Sequence, residues 1–159
     1  RGVEVGSIYY TTHTGPFDAI TLFDVIEHLE DPRGALLRTR ELLSPGGRLF
    51  LTTPDSGSLV ARMLGAHWYH LDLTQHISIF SAANLTRLLR DAGFRVESRR
   101  TFGRGYRFSY IERRLGEQGR TNPLLRLAHV ASLPMRLFPG RRVSINLGDV
   151  MGLVAARRD

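Results

Sequence analysis

The sequence predicts an α/β fold built around a mostly parallel sheet, and three neighbouring features carry that expectation. FDAITLFD, residues 17–24, is a short, mostly apolar run of the kind that forms a strand buried on both faces. Asp31-Pro32 then announces a helix, with a good N-cap followed by proline at the first helical position. Ser44-Pro45-Gly46-Gly47 closes that helix, and Arg48-Leu49-Phe50-Leu51-Thr52 follows as a second apolar strand. Strand, helix, tight turn and strand in this order make the right-handed crossover unit of a parallel sheet.

The remaining elements follow along the chain. VEVGSIYY, residues 3–10, reads as a short strand, and YTTHTGP, residues 10–16, as a turn. In the helix after Asp31, Ala35, Leu36, Leu42 and Leu43 share one stripe. A short helix is expected from about Ser56 to Leu64, then an aromatic and histidine-rich loop, HWYHLDLTQHISIF. Ser81 caps another helix whose Leu85, Leu88, Leu89 and Ala92 obey helical spacing, with Gly93 as its stop. FRVESRR, from Phe94, is a further strand. Residues 105–140 read as amphipathic helical pieces broken by Gly116, Gly119, Pro123, Pro134 and Pro139, and Gly148 to Ala156 is a last apolar strand. No internal repeat or low-complexity stretch interrupts this order.

The chain has 159 residues, about the size of one domain. Its 42% hydrophobic and 23% charged residues fit a folded globular protein rather than a disordered one. No apolar run reaches the ~18 residues of a membrane span, and no leader-like segment opens the sequence. Without cysteine there is no disulfide, thiolate metal site or thiol nucleophile, which agrees with a cytoplasmic setting. All 22 basic residues are arginine, giving a net charge of +7. With no lysine, Schiff-base and P-loop chemistry are excluded. The arginines are spread along the chain, in short pairs at most, rather than gathered in one run, so a nucleic-acid partner is not expected.

Four pieces in order, FDAITLFDVIEHLEDP, LLSPGGRLFLTTPD, HLDLTQHISIFS and LLRDAGF, resemble the class I S-adenosylmethionine-dependent methyltransferases, in the group related to the ubiquinone-biosynthesis O-methyltransferases. The resemblance covers about residues 1–100, and the closing NLGDVMGLVAARR is similar to that group's last strand. It implies a Rossmann-like methyltransferase sheet of order 3-2-1-4-5-7-6 with the last strand antiparallel. VEVGSIYY, FDAITLFD, RLFLTTP, FRVESRR and GDVMGLVAA then resemble its third, fourth, fifth, sixth and seventh strands. The first two strands, their Gly-rich loop and the acidic residue that binds the ribose have no match. Either residues 1–159 are one domain from the C-terminal part of that fold, with 105–140 as a helical insertion between the last two strands, or Val3-Glu4-Val5-Gly6 is a degenerate first strand and loop beside Ala19-Ile20-Thr21. Unpaired strand edges in such a sheet imply a homodimer or strand exchange.

The resemblance also implies a site. S-adenosyl-L-methionine would meet Phe23, Asp24, Val25 and His28 at the tip of the fourth strand, and Ser7 and Ile8, after the third, would meet its adenine. Ser7 departs from the family's acidic residue there. In the 66–80 loop, His76 or His70 is a candidate general base toward an acceptor hydroxyl. The same loop also fits a structural role, or a metal site from His67, His70 and Asp72, although His-x-x-His is a weak signal and no metal is assigned. Asp55 is read first as a helix cap. Leu124, Leu125, Ala128, Ala131, Met135 and Phe138 with flanking arginines suggest a lid, a cover for the sheet edge, or a peripheral membrane contact through 123–142. The expected activity is methyl transfer to an oxygen or nitrogen of a small molecule; the alternative is a non-catalytic methyltransferase-fold module.

Overall fold

The computed structural model describes residues 6–71 and 75–158. A four-stranded sheet runs β1 (Phe17–Phe23), β2 (Leu43–Pro54), β6 (Val150–Arg157), β3 (Phe94–Thr101). β1 and β2 are parallel, with Ala19 opposite Arg48 and Phe23 opposite Thr52. β6 is antiparallel to both β2 and β3. These are the expected fourth, fifth, seventh and sixth strands in the expected order, with the expected antiparallel member. α1 (Pro32–Leu42) makes the crossover from β1 to β2, and α2 (Leu59–Leu64) and α3 (Ala82–Asp91) lie between β2 and β3.

Local chemistry sets these boundaries. The Asp31 side chain accepts from the Gly34 amide at 2.9 Å, Ser58 caps α2 and Ser81 caps α3, each relieving an unpaired donor of a first helical turn. Between Phe17 and Ala19 the register with β2 is broken, which accommodates the Pro-Gly-Gly segment. A side chain on Gly47 would collide with the Ser44 and Phe17 carbonyls, so only glycine lets the two strands close there.

Strand alternation sends Leu49 and Leu51 of β2 and Met151, Leu153 and Ala155 of β6 to one face. There they meet Leu36 of α1 and Leu85 and Leu89 of α3 in a single core. The other face is open: Phe23, Phe50, Phe102 and Val154 line a cavity of about 550 Å³. β1 is therefore not buried on both faces as its apolar run suggests. Only Leu22 is buried, because helices cover one side alone and, among the described residues, no strand pairs with the outer edge of β1.

One other expectation needs correction. The described part of VEVGSIYY, residues 6–10, is a turn closed by the Tyr10 amide on the Ser7 carbonyl, and Val3-Glu4-Val5 lies outside the described residues. The 105–140 segment is helical, as α4 (Phe108–Gln118) and α5 (Pro123–Ser132) with a 3₁₀ turn at Leu133–Leu137. A two-stranded antiparallel ribbon closes its base, β4 (Arg104–Arg107) against β5 (Arg142–Ile145).

Two substitutions test this account of the fold. Leu36 is fully buried, so Leu36→Ala is expected to cost about 3 kcal/mol of stability in urea unfolding. Asp31→Ala, losing a helix cap, is expected to cost about 1 kcal/mol.

Candidate active site

Parallel pairing brings the tips of β1 and β2 to one edge of the sheet, and there the chain turns sharply. Asp24 takes a left-handed conformation (φ 53°), which aspartate tolerates better than most residues. Its amide donates to the Thr52 carbonyl at 3.0 Å, and the Thr52 hydroxyl donates to the Asp24 carboxylate at 3.2 Å. Arg104, at the base of the 105–140 segment, reaches the same carboxylate at 2.5 Å. A 3₁₀ turn over Ile26–His28 follows.

Within that turn Glu27 points inward and His28 outward. Glu27 is 2% exposed and accepts from the Thr53 hydroxyl at 2.9 Å. His28 Nδ1 donates to the Gln75 carbonyl, and His76 Nδ1 to the His70 carbonyl, each at 2.6 Å. A carbonyl only accepts, so both rings carry a proton on Nδ1, which leaves Nε2 as the atom that can accept or ligate when the ring is neutral. The rings of His28 and His76 lie 4.9 Å apart, and ligand atoms of Glu27, His28 and His76 all fall within 4.8 Å of one another.

A second group stands on Asp149, at the entry to β6. Asp149 is 2% exposed and accepts from Trp68 Nε1 at 3.0 Å. Burial and hydrogen bonds to Asp149 and Tyr106 hold the Tyr69 phenol above the usual tyrosine range. His70 packs against Tyr69 with ring centres 4.3 Å apart, and its buried Nε2 has no protein partner among the described residues. Burial pushes His70 down to about 4, so the ring is neutral at physiological pH. The 105–140 segment grips this loop from outside: Arg114 donates to the Tyr69 carbonyl at 3.1 Å and Gln118 to the His67 carbonyl at 3.0 Å.

Of the residues singled out by sequence, Asp24, His28, His70 and His76 converge on this edge. Val25 packs against the core instead, and Phe23 lies on the open sheet face. Ser7 and Ile8 line a separate cavity of about 410 Å³ with Phe17, Ala19 and Ile20. Asp55 is a cap, accepting from the Gly57 and Ala82 amides. His67 bonds Thr121 and stands apart from His70 as a ligand pair, and Asp72 lies outside the described residues. Arg104, Tyr106 and Asp149 escaped the sequence reading, and Glu27 entered it only as the acidic neighbour of His28 past the strand tip, where it could equally cap the turn.

Residues 8–99 match the family model described as a methyltransferase domain. The ubiquinone biosynthesis O-methyltransferase of Xanthomonas axonopodis pv. citri is 35% identical over 89 residues, 52% of this chain and 37% of its own length. The chain thus spans little more than a third of the curated relatives it matches. The crystal structure of the cyclase SpnF superposes with a TM-score of 0.57 at 19% identity, over 98% of this chain and 55% of that one. A Burkholderia thailandensis 1,6-didemethyltoxoflavin N1-methyltransferase, solved with bound 1,6-didemethyltoxoflavin and S-adenosylhomocysteine, gives 0.51 at 15% identity, over 96% of this chain and 48% of that one.

Because the folded His70 binds its proton only near pH 4 while the unfolded chain binds one near 6.5, its neutral burial favours the folded state fully above pH 6.5. That contribution is expected to drain away as pH falls from 6.5 to 4. Urea unfolding at stepped pH checks it: His70→Gln should flatten the loss across this window.

Proposed function

Since the chain belongs to the methyltransferase domain family, we propose that it serves S-adenosyl-L-methionine-dependent methylation of an oxygen or nitrogen on a small molecule. The observation that supports this most is the meeting, at one sheet edge, of a carboxylate on a left-handed turn with the His28 and His76 rings, 4.9 Å apart. Residues 1–159 are on this reading the C-terminal part of a methyltransferase domain, with β1 as its fourth strand and 105–140 as an insertion before the last. The partners that go with it are a small-molecule acceptor, a second copy of the chain along the β1 edge, and a membrane touched through 123–142. The setting is cytoplasmic.

The donor supplies an electrophilic methyl on a sulfonium and leaves as a neutral thioether, so catalysis rests on alignment and on removal of one proton. Asp24 would set a carboxylate beside the donor's cationic groups, and Arg104, 2.5 Å from it, moderates that charge. Of the other donor contacts expected from the sequence, only His28 stands at this edge with Asp24. Between the two candidate bases the electrostatics separate roles. With a pKa near 4, His70 is a weak proton acceptor at neutral pH and supports the loop. His76, held by the His70 carbonyl, takes the acceptor proton on Nε2 as the acceptor oxygen or nitrogen bonds the methyl.

One observation favours a second reading of the same edge. Glu27 is buried, and one of its carboxyl oxygens lies within 4.8 Å of ligand nitrogens of His28 and His76. Two histidines and one carboxylate suit zinc or a neighbouring first-row ion, which would acidify an acceptor hydroxyl.

Isothermal titration with S-adenosylhomocysteine is expected to show about tenfold weaker binding for Asp24→Asn, the ~1.4 kcal/mol of one lost charge contact. Unchanged affinity removes Asp24 from the donor site, and no binding by the unsubstituted full-length protein leaves the non-catalytic module. His76→Gln is expected to lower kcat by about 10²-fold or more with donor affinity intact. If Glu27→Gln and His28→Gln reproduce that loss and abolish one bound metal per chain by elemental analysis, the metal reading replaces the base.

A further inference from the structure

The chain's surplus positive charge is concentrated in one segment. Residues 104–142 hold nine arginines against only Glu112 and Glu117, which accounts for the whole net charge of +7; the rest of the chain is neutral. Arg113, Arg120, Arg126, Arg136, Arg141 and Arg142 are exposed. Arg107, Arg113, Arg120 and Arg136 also line an open cleft of about 860 Å³ beside α4, where they outnumber Glu112 and Glu117.

The same segment exposes aliphatic surface in a regular array. α5 buries Leu125 and Ser132 on its inner side. Leu127, 68% exposed, and Val130, 57% exposed, stand three residues apart on its outer side. The ridge continues through the 3₁₀ turn as Leu133, Leu137 (75% exposed) and Phe138. Solvent-facing leucines rimmed by arginines are the signature of a helix lying in a lipid interface, the aliphatic side chains entering the acyl boundary and the guanidinium groups meeting phosphates.

We propose that the α5 ridge, Leu127–Val130–Leu133–Leu137–Phe138, docks this protein on an anionic lipid surface. This deepens the membrane contact suggested above and names the lipid charge and the contact residues. The geometry gives the contact a purpose. α4 carries Arg114 and Gln118, which hold the Tyr69 and His67 carbonyls of the active-site loop, and α4 packs on the inner side of α5. The segment therefore has lipid on one side and the acceptor loop on the other.

The test is flotation of the full-length protein with phosphatidylcholine vesicles and with vesicles containing 30% phosphatidylglycerol, roughly a mimic of an anionic leaflet. At least about tenfold more protein should float with the anionic vesicles, falling by a similar factor between about 50 and 500 mM salt as screening grows. Leu127→Glu/Leu137→Glu, both at exposed positions, should abolish flotation while circular dichroism and S-adenosylhomocysteine binding stay unchanged. Equal binding to neutral vesicles, no binding at low salt, or retained binding by the double variant overturns the proposal. So does a shift of the double variant from dimer to monomer without lipid, which makes the ridge a subunit interface, or tighter binding to single-stranded RNA than to vesicles. Loss of donor binding with flotation intact would overturn the methylation reading alone.

Discussion

Two strands that run parallel must end at the same edge, and the rest of this molecule depends on that constraint. The pairing of Phe23 with Thr52 fixes where β1 stops. Thr52 then uses both its carbonyl and its hydroxyl to hold Asp24, so the turn that follows has one available direction. Glu27 is thereby driven under the β2 tip, onto Thr53, and His28 outward over the 66–80 loop. A parallel pair needs a crossover, and α1 supplies it on the side where Leu49 and Leu51 already point. The apolar core and the polar edge are consequences of one register.

What was legible in the sequence is what is decided locally. Asp31-Pro32, Ser81 and Gly93 bound helices by capping and conformational rules that need no distant partner. The apolar runs of β1, β2 and β6 identify strands, and with them the crossover. What was not legible depends on partners far along the chain. Asp149 looks like any acid after a glycine until Trp68, 81 residues earlier, reaches it. Glu27 looks solvated until Thr53, 26 residues away, arrives above it. RGYR and RVSI are strands of only four residues, too short for alternation to set them apart from the loops around them. The composition of β1 reports a strand but cannot report that helices cover only one of its sides.

The edge also divides labour between two histidines that the sequence presents as equals. His70 is surrounded by Trp68 and Tyr69 beneath the Asp149 network, and losing water there makes its protonated form expensive. Its backbone carbonyl nevertheless sets the tautomer of His76, so the buried residue orients the one nearer the edge. An arrangement of this kind fixes a base without placing it in the core, where it would lose its basicity.

Charge is partitioned on a larger scale in the same way. Most of the chain balances its arginines with carboxylates, often at short range, as Arg48 with Glu97 and Arg38 with Glu41. The 104–142 segment does not, and its ion pairs spend both of its own glutamates: Glu112 on Arg136 and His129, Glu117 on Arg114. Exposed ion pairs contribute little to stability, so the unbalanced arginines are not explained by holding the segment together. The α4–α5 packing and the β4–β5 ribbon do that without them. A segment whose fold does not require its charge, and whose outer side shows leucine to solvent, is built for something outside the chain. Its inner side, through Arg104 on Asp24 and Arg114 on the Tyr69 carbonyl, joins that outside contact to the residues at the sheet edge.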